Sequence, residues 1–172
     1  VARTMSFLTG LKCIRCSTEY PIEPRFDGCP KCAVEAPSNL TPTYDYAKVQ
    51  SATLKDKFAE RRFNMWRYRE FLPPDMEEVA SLGEGGTPLL SCSTMGDLIG
   101  VPNLYLKDES RNPTGSFKDR LAVVALAMSG RFGAKTVGVS STGNAGAAAA
   151  AYSAKKGYPC VVLTVSGAAS VM

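Results

Sequence analysis

The chain has 172 residues, of which 45% are apolar and 21% charged, with a net charge of +4. That is the make-up of an ordinary globular domain and excludes a largely disordered or collagen-like chain. The charge is +1 up to Leu82 and +3 beyond it, so neither part is a basic arm for nucleic acid. The longest nearly apolar runs, Ala145–Tyr152 and Cys160–Val165, fall far short of the roughly 20 residues a membrane-spanning helix needs. The start, Val1-Ala2-Arg3-Thr4-Met5, lacks the apolar core of a signal peptide, which sets the expectation of a cytoplasmic chain.

Cysteine usage divides the sequence. Cys13-Ile14-Arg15-Cys16 and Cys29-Pro30-Lys31-Cys32 each space two thiols so that one tight turn presents both to a single ion. C-x2-C followed closely by C-x2-C reads as a tetrahedral zinc site, all-Cys because the chain has no His. The alternative is two disulfides, which a cytosolic chain disfavours. A ribbon this small buries little, so the metal would supply its folding energy and be structural. Cys160 reads as a small core residue in an apolar strand.

Pro37–Pro42 reads as a linker. Leu54–Phe71 mixes Lys55, Lys57, Arg61, Arg62, Arg67 and Arg69 with Phe58, Phe63, Trp66, Tyr68 and Phe71. Leu54, Phe58, Arg62, Met65 and Arg69 would share one helical face, and Ala59, Phe63 and Trp66 a second. One reading is a basic aromatic surface for nucleic acid. The other, favoured because Asp56, Glu60 and Glu70 dilute the charge, is an amphipathic segment whose Arg stems lie over apolar neighbours. Pro73-Pro74 ends it.

Beyond Leu82 the pattern alternates strand and helix. Leu104–Leu106 is predicted as a strand. Ser116–Arg131 is a helix with Leu121, Val124, Ala125 and Met128 at helical spacing, its other faces also apolar, closed by Gly130 and Gly133. Thr136–Val139 and Cys160–Leu163 are strands, and Ala145–Lys156 an Ala-rich helix stopped by Gly157. Short alternation of this kind, with strands apolar on both faces, argues a doubly wound α/β layer with a parallel sheet.

Two constellations carry chemistry. Asn112-Pro113-Thr114-Gly115-Ser116-Phe117-Lys118-Asp119-Arg120 delivers Lys118 into the first turn of a helix, with Ser116 as a cap and Asp119 as an acid of the helix start. A cation there opposes the helix dipole by about 0.3–1 kcal/mol, and burial adds to the push towards the neutral amine that attacks carbonyls. The bland alternative is a lysine bent out to solvent. Ser140-Ser141-Thr142-Gly143-Asn144-Ala145-Gly146 sets hydroxyls, an amide and backbone N–H groups at a helix N-terminus beyond a parallel strand, where open α/β sheets bind ligands. The alternative is a plain N-cap.

These segments also carry a resemblance. Leu82-Gly83-Glu84-Gly85-Gly86-Thr87-Pro88-Leu89, Leu106-Lys107-Asp108-Glu109, Asn112–Arg120 and Ser141–Gly146 occur in one order with family-like gaps. Together they resemble threonine synthases and their relatives, the fold-type-II pyridoxal-phosphate enzymes of the tryptophan synthase β-subunit fold. Met65-Trp66-Arg67-Tyr68-Arg69-Glu70 is similar to the segment ahead of that core in one threonine synthase branch, some members of which also carry a four-Cys ribbon. The resemblance spans nearly the whole chain, and it implies the roles that follow. Lys118 would hold the cofactor and act as the proton-transfer base. Phe117 would pack on the pyridine ring and Asn144 would bond its ring oxygen. Ser141, Thr142, Gly143, Asn144 and Ala145 would hold the substrate carboxylate. The implied reaction is conversion of O-phosphohomoserine and water to threonine and phosphate. Related β-elimination or β-replacement enzymes, and a non-catalytic fragment whose ribbon serves binding, are the alternatives. Ala145 stands where many threonine synthases have a Thr that helps hold substrate phosphate. The family's glycine-rich phosphate loop, and the residue facing the pyridine nitrogen, would lie downstream of Met172, so Gly83–Gly86 is not that loop.

The expected organisation is therefore α/β. Residues 1–43 form an all-Cys zinc ribbon and linker, 44–82 a helical lead-in, and 83–172 the first, incomplete part of the enzyme domain. On this reading the chain is an N-terminal fragment, inactive by itself. Its partners would be a small amino-acid substrate and, as an open expectation, further copies of itself, with neither nucleic acid nor membrane.

Overall fold

The computed structural model describes residues 7–25, 27–52 and 55–168. Leu54 of the expected helical face and the segments at 1–6 and 169–172 lie outside them.

The cysteine-bearing segment is a three-stranded antiparallel sheet in the order β2-β1-β3, formed by β1 (Leu8–Cys13), β2 (Glu19–Tyr20) and β3 (Leu40–Tyr44). β1 runs between the other two, with Leu11 opposite both Tyr20 and Pro42. The expected linker at Pro37–Pro42 is therefore partly strand. Pro42 is tolerated because β3 is an edge, where a missing N–H breaks no ladder bond. Positive φ turns the chain at Ser17, just after the first cysteine pair, and at Gly28, just before the second. The buried centre of this unit is Cys13, Cys29 and Cys32, with Cys16, Tyr20 and Leu40 packed around them.

The lead-in is not one amphipathic helix. After α1 (Tyr46–Ala52) and α2 (Lys55–Glu60) the backbone extends at Asn64, whose side chain accepts from Trp66 N at 3.0 Å and starts a separate 3-10 turn over Met65–Phe71. The break has two causes. Met65 N donates to Glu84 O at 3.0 Å, across sequence. Arg61 grips Glu70 through both carboxylate oxygens, at 2.8 and 2.7 Å, and so fixes the turn against α2. Arg67 stacks over Phe63 and Tyr68, at 5.1 and 5.6 Å from the ring centroids. The two expected stripes therefore separate: Met65 and Trp66 are buried and Phe63 is exposed.

The rest is α/β. β6 (Val137–Ser140) and β7 (Cys160–Leu163) pair in parallel, Val137 opposite Cys160, around the crossover helix α5 (Asn144–Lys156). α4 (Lys118–Arg131) packs on α5, and Met65, Trp66, Ala122, Val123, Leu126, Ala148 and Tyr152 form the core between them. α4 is not apolar-buried all round. Its buried face is Ala122, Val123, Leu126 and Ala127, while Leu121, from the expected stripe, is 61% exposed. Gly130 stays helical and packs against Lys156 and Tyr158, so α4 is closed by Phe132 and Gly133 instead. The expected strand at Leu104–Leu106 is β5 (Tyr105–Lys107). It pairs antiparallel with β4 (Leu89–Ser91), joined by α3 (Ser93–Ile99), and is not part of the parallel pair. Val161, Val162 and Leu163 on β7 and Leu89, Leu90, Tyr105 and Leu106 on the hairpin are exposed. Cys160 is only partly buried. No helix among the described residues is long and apolar enough to cross a membrane.

Candidate active site

Lys118 is the first residue of α4, and the loop before it is tied at every step. Gly115 takes a φ of +77°, which only glycine adopts cheaply, and its N–H donates to Asn112 O at 2.8 Å. The buried Ser116 accepts from Lys118 N at 3.2 Å, the local cap expected of it. Asp119 does not behave as an ordinary acid of a helix start. Its carboxylate reaches back and accepts from Thr114 N at 2.7 Å and Thr114 Oγ1 at 2.5 Å. The Lys118 ammonium rests over the exposed Phe117 ring, 4.6 Å from its centroid, with no carboxylate paired to it among the described residues.

A polar frame surrounds this loop. Arg120 pairs with Glu109 through two bonds, 2.7 and 2.8 Å, and Glu109 also accepts from Thr87 Oγ1 at 2.6 Å and Asn112 Nδ2 at 3.0 Å. The Arg120 guanidinium holds the Glu109 carboxyl well below its ordinary range, at about 2. The Asn112 amide oxygen accepts from Gly85 N at 3.0 Å. The glycine cluster is thereby locked to the Asn112–Arg120 loop. Gly85 and Gly86, both at positive φ, press on the backbone of Met65 and Phe63. These glycines serve backbone-to-backbone packing.

Glu84, just ahead of them, is fully buried. It accepts from Trp66 Nε1, from Tyr152 Oη at 2.8 Å, from Ser81 Oγ at 2.9 Å and from Leu82 N at 3.0 Å. Burial pushes its carboxyl upward, but these donors outweigh it and the net displacement is downward. Sequence reasoning missed Glu84, Asn112, Glu109 and Arg120 as one frame. A lone acid inside a glycine run was the available signal.

The second constellation opens α5 at the carboxyl ends of β6 and β7. Ser141, Thr142, Gly143, Gly146, Val162 and Thr164 line a cavity of about 270 Å³ there. Gly146 allows close packing: a Cβ would meet Val162 Cγ1 at 3.0 Å. Ser141 Oγ accepts from Gly143 N at 3.2 Å and Gly146 N at 2.9 Å, so this hydroxyl shapes the turn. Thr142 and Asn144 are exposed and Gly143 and Ala145 half-buried. α4 and α5 pack together, but no hydrogen bond joins the Lys118 side chain to residues 141–145 among the described residues.

The four cysteine sulfurs of the first pairs lie within 4.8 Å of one another, and all six cysteines are free. Cys13 and Cys32 Sγ are 3.9 Å apart and Cys16 and Cys29 Sγ 3.7 Å. The edge of a zinc–thiolate tetrahedron with 2.3 Å bonds is about 3.8 Å, so the donor set fits that ion. Cys13 is held down to about 5, first by the Cys16 N–H and then by Ser38, while burial among the other sulfurs pushes Cys32 up to about 12.

A lysine heading α4 and a cavity at the N-terminus of α5, on a parallel α/β crossover, suit an α/β enzyme that holds a cofactor through an amine. The chain belongs to the family described as pyridoxal-phosphate dependent enzyme, which residues 80–171 match. It is 39% identical over 157 residues to a threonine synthase of Methanocaldococcus jannaschii, covering 91% of this chain and 38% of that protein. It is 40% identical over 157 residues to the threonine synthase of Methanosarcina acetivorans, 91% and 37% of the two chains. A threonine synthase of Halalkalibacterium halodurans is 44% identical over 110 residues, 60% and 31%. The chain thus spans somewhat more than a third of the length of the first two.

Proposed function

We propose that this chain is the N-terminal part of a pyridoxal-phosphate-dependent carbon–oxygen lyase that converts O-phosphohomoserine and water to threonine and phosphate. What carries the reading is the Asn112–Arg120 loop heading α4, together with 39% identity to a threonine synthase across 91% of the chain.

The residues present fit the cofactor. Among the described residues the Lys118 amine has no carboxylate partner to displace, and the Phe117 ring lies beside it. When bound, the cofactor supplies an electron sink that makes loss of a Cα proton feasible. Lys118 Nζ takes and returns that proton. Asn144 would bond the cofactor ring oxygen through its amide. The Thr142 hydroxyl and the N–H groups of Gly143, Asn144 and Ala145 hold the substrate carboxylate at the positive end of α5. Ser141 serves that cradle by ordering its turn. Ala145 offers no hydroxyl, so other groups hold the substrate phosphate.

Cys13, Cys16, Cys29 and Cys32 hold one structural zinc. The protein works in the cytoplasm on a small amino-acid substrate, and its exposed apolar strands favour self-association.

The test is an assay of the full-length polypeptide carrying this sequence with O-phosphohomoserine. Equal amounts of phosphate and threonine are expected. No phosphate release, with turnover of another β-substituted amino acid, would move the assignment to a related β-elimination or β-replacement enzyme.

A further inference from the structure

Asp119 is fully buried, and no cation pairs with it among the described residues. A buried carboxylate in that position is costly unless local donors satisfy it. Here both strong donors come from one residue, Thr114, through its N–H at 2.7 Å and its hydroxyl at 2.5 Å. The two bonds span residues 114 to 119 and close the loop that carries Lys118. Within it the chain passes Gly115, at a φ of +77°, a position where glycine alone offers no resistance to rotation. The far end is held independently, by Gly115 N on Asn112 O at 2.8 Å and by Asn112 against Gly85. Lys118 therefore sits between two anchors, and Asp119 is the one adjacent to it.

An acid of the helix start acts on the macrodipole or, in a capping box, reaches back to the N–H of the cap residue itself. Asp119 instead points to a residue ahead of the helix, using one carboxylate oxygen for each Thr114 donor; an uncharged amide there keeps one accepting oxygen for the Thr114 N–H and can donate from its NH2 to the Thr114 hydroxyl.

We propose that Asp119 is a positioning residue for the Lys118 amine. It fixes the 114–118 loop through Thr114, by hydrogen bonding and not by its charge. The proposal rests on the reading of Lys118 as the cofactor lysine.

The experiment exposes the full-length polypeptide carrying this sequence to pyridoxal 5′-phosphate, traps adducts with borohydride, and maps the labelled lysines by peptide mass analysis. The readout is labelling at Lys118 relative to the exposed Lys31 and Lys135 of the same molecule, with the far-ultraviolet circular dichroism recorded alongside. Lys118 is expected to be preferred in the wild type. Asp119→Ala should lower that preference about tenfold, the equivalent of one to two hydrogen bonds, with the spectrum unchanged. Asp119→Asn, which keeps an oxygen acceptor for Thr114, should stay within about threefold of wild type. Full preference in Asp119→Ala overturns the proposal, and so does an equal loss in both variants, because charge would then be the cause. Should Asp119→Ala fail to fold, Thr114→Ser and Thr114→Val decide. Retention in the first and loss in the second support the tether, and equal preference overturns it. A wild-type chain that labels Lys118 no faster than Lys31 refutes the reading of Lys118 itself, and the proposal with it.

Discussion

Removing the Glu84 carboxylate should cost more stability than any ordinary substitution in this chain. Glu84→Ala strands two fully enclosed donors, Trp66 Nε1 and Tyr152 Oη, and two half-enclosed ones, Ser81 Oγ and Leu82 N. An unsatisfied buried donor costs about 1–3 kcal/mol, and the half-buried pair recovers water. Relief from burying a charge returns part of the loss. The net expectation is about 3–4 kcal/mol, a large share of the 5–15 kcal/mol typical of a folded domain. Tyr152→Phe removes one donor and leaves Glu84 the others, so about 1–2 kcal/mol is expected. Trp66 is the single tryptophan, so its fluorescence reports unfolding at the hub itself. Urea titrations of wild type, each single variant and the double variant would give the coupling energy. A Glu84→Ala chain within about 1 kcal/mol of wild type, at unchanged slope, would refute the reasoning, since the stranded donors would have found other partners.

Chelation of a zinc-loaded chain should unfold the 8–44 sheet and leave the α4–α5 core folded, because the sheet buries little beyond its cysteines. Stoichiometric metal analysis with circular dichroism checks this, and Cys32→Ser should reproduce it without chelator. The Glu109 carboxyl lies at about 2 in the folded chain against an ordinary 4.5. Its stabilisation, about 3 kcal/mol at most, is thus full above pH 4.5 and lost as pH falls towards 2. Glu109→Gln should flatten the acid limb of the stability curve in that window, and an unchanged limb would contradict the pairing with Arg120. Gly86→Ala should destabilise by more than the roughly 1 kcal/mol of its positive φ, because the added Cβ overlaps the Phe63 carbonyl. Thermal melts of Gly86→Ala against Gly83→Ala, where the space is open, separate the two effects.

The parts legible in the sequence are those fixed by local spacing. β6, α5 and β7 fall within a residue or so of expectation because strand, helix and stop signals are all near neighbours. The cysteine cluster follows from two C-x2-C pairs. What escaped depends on distant partners. The lead-in breaks at Asn64 because Met65 bonds Glu84, which no periodicity within 54–71 records. β5 looked like a member of the parallel layer and pairs instead with β4. On α4 the stripe through Leu121 scored well by period, yet packing with Tyr152 and Trp66 selects the neighbouring face of Ala122, Val123 and Leu126. Asp119 was read by position as an acid of the helix start, and only its geometry reveals a bond to Thr114.

The Glu84–Tyr152 bond has a bearing on the order in which the chain assembles. It closes a span of 68 residues, whereas the sulfur contacts of the first sheet close spans of 13 and 19. Loop closure grows costlier with the logarithm of length, by about 1 kcal/mol between these spans. The cysteine sheet can therefore form while the polypeptide is still short, and the hub only after α5 has been made. Until then Trp66 and Glu84 have no Tyr152 to join. A nascent chain halted before Tyr152 should show the tryptophan emission of an exposed indole, with its cysteine sheet already in place.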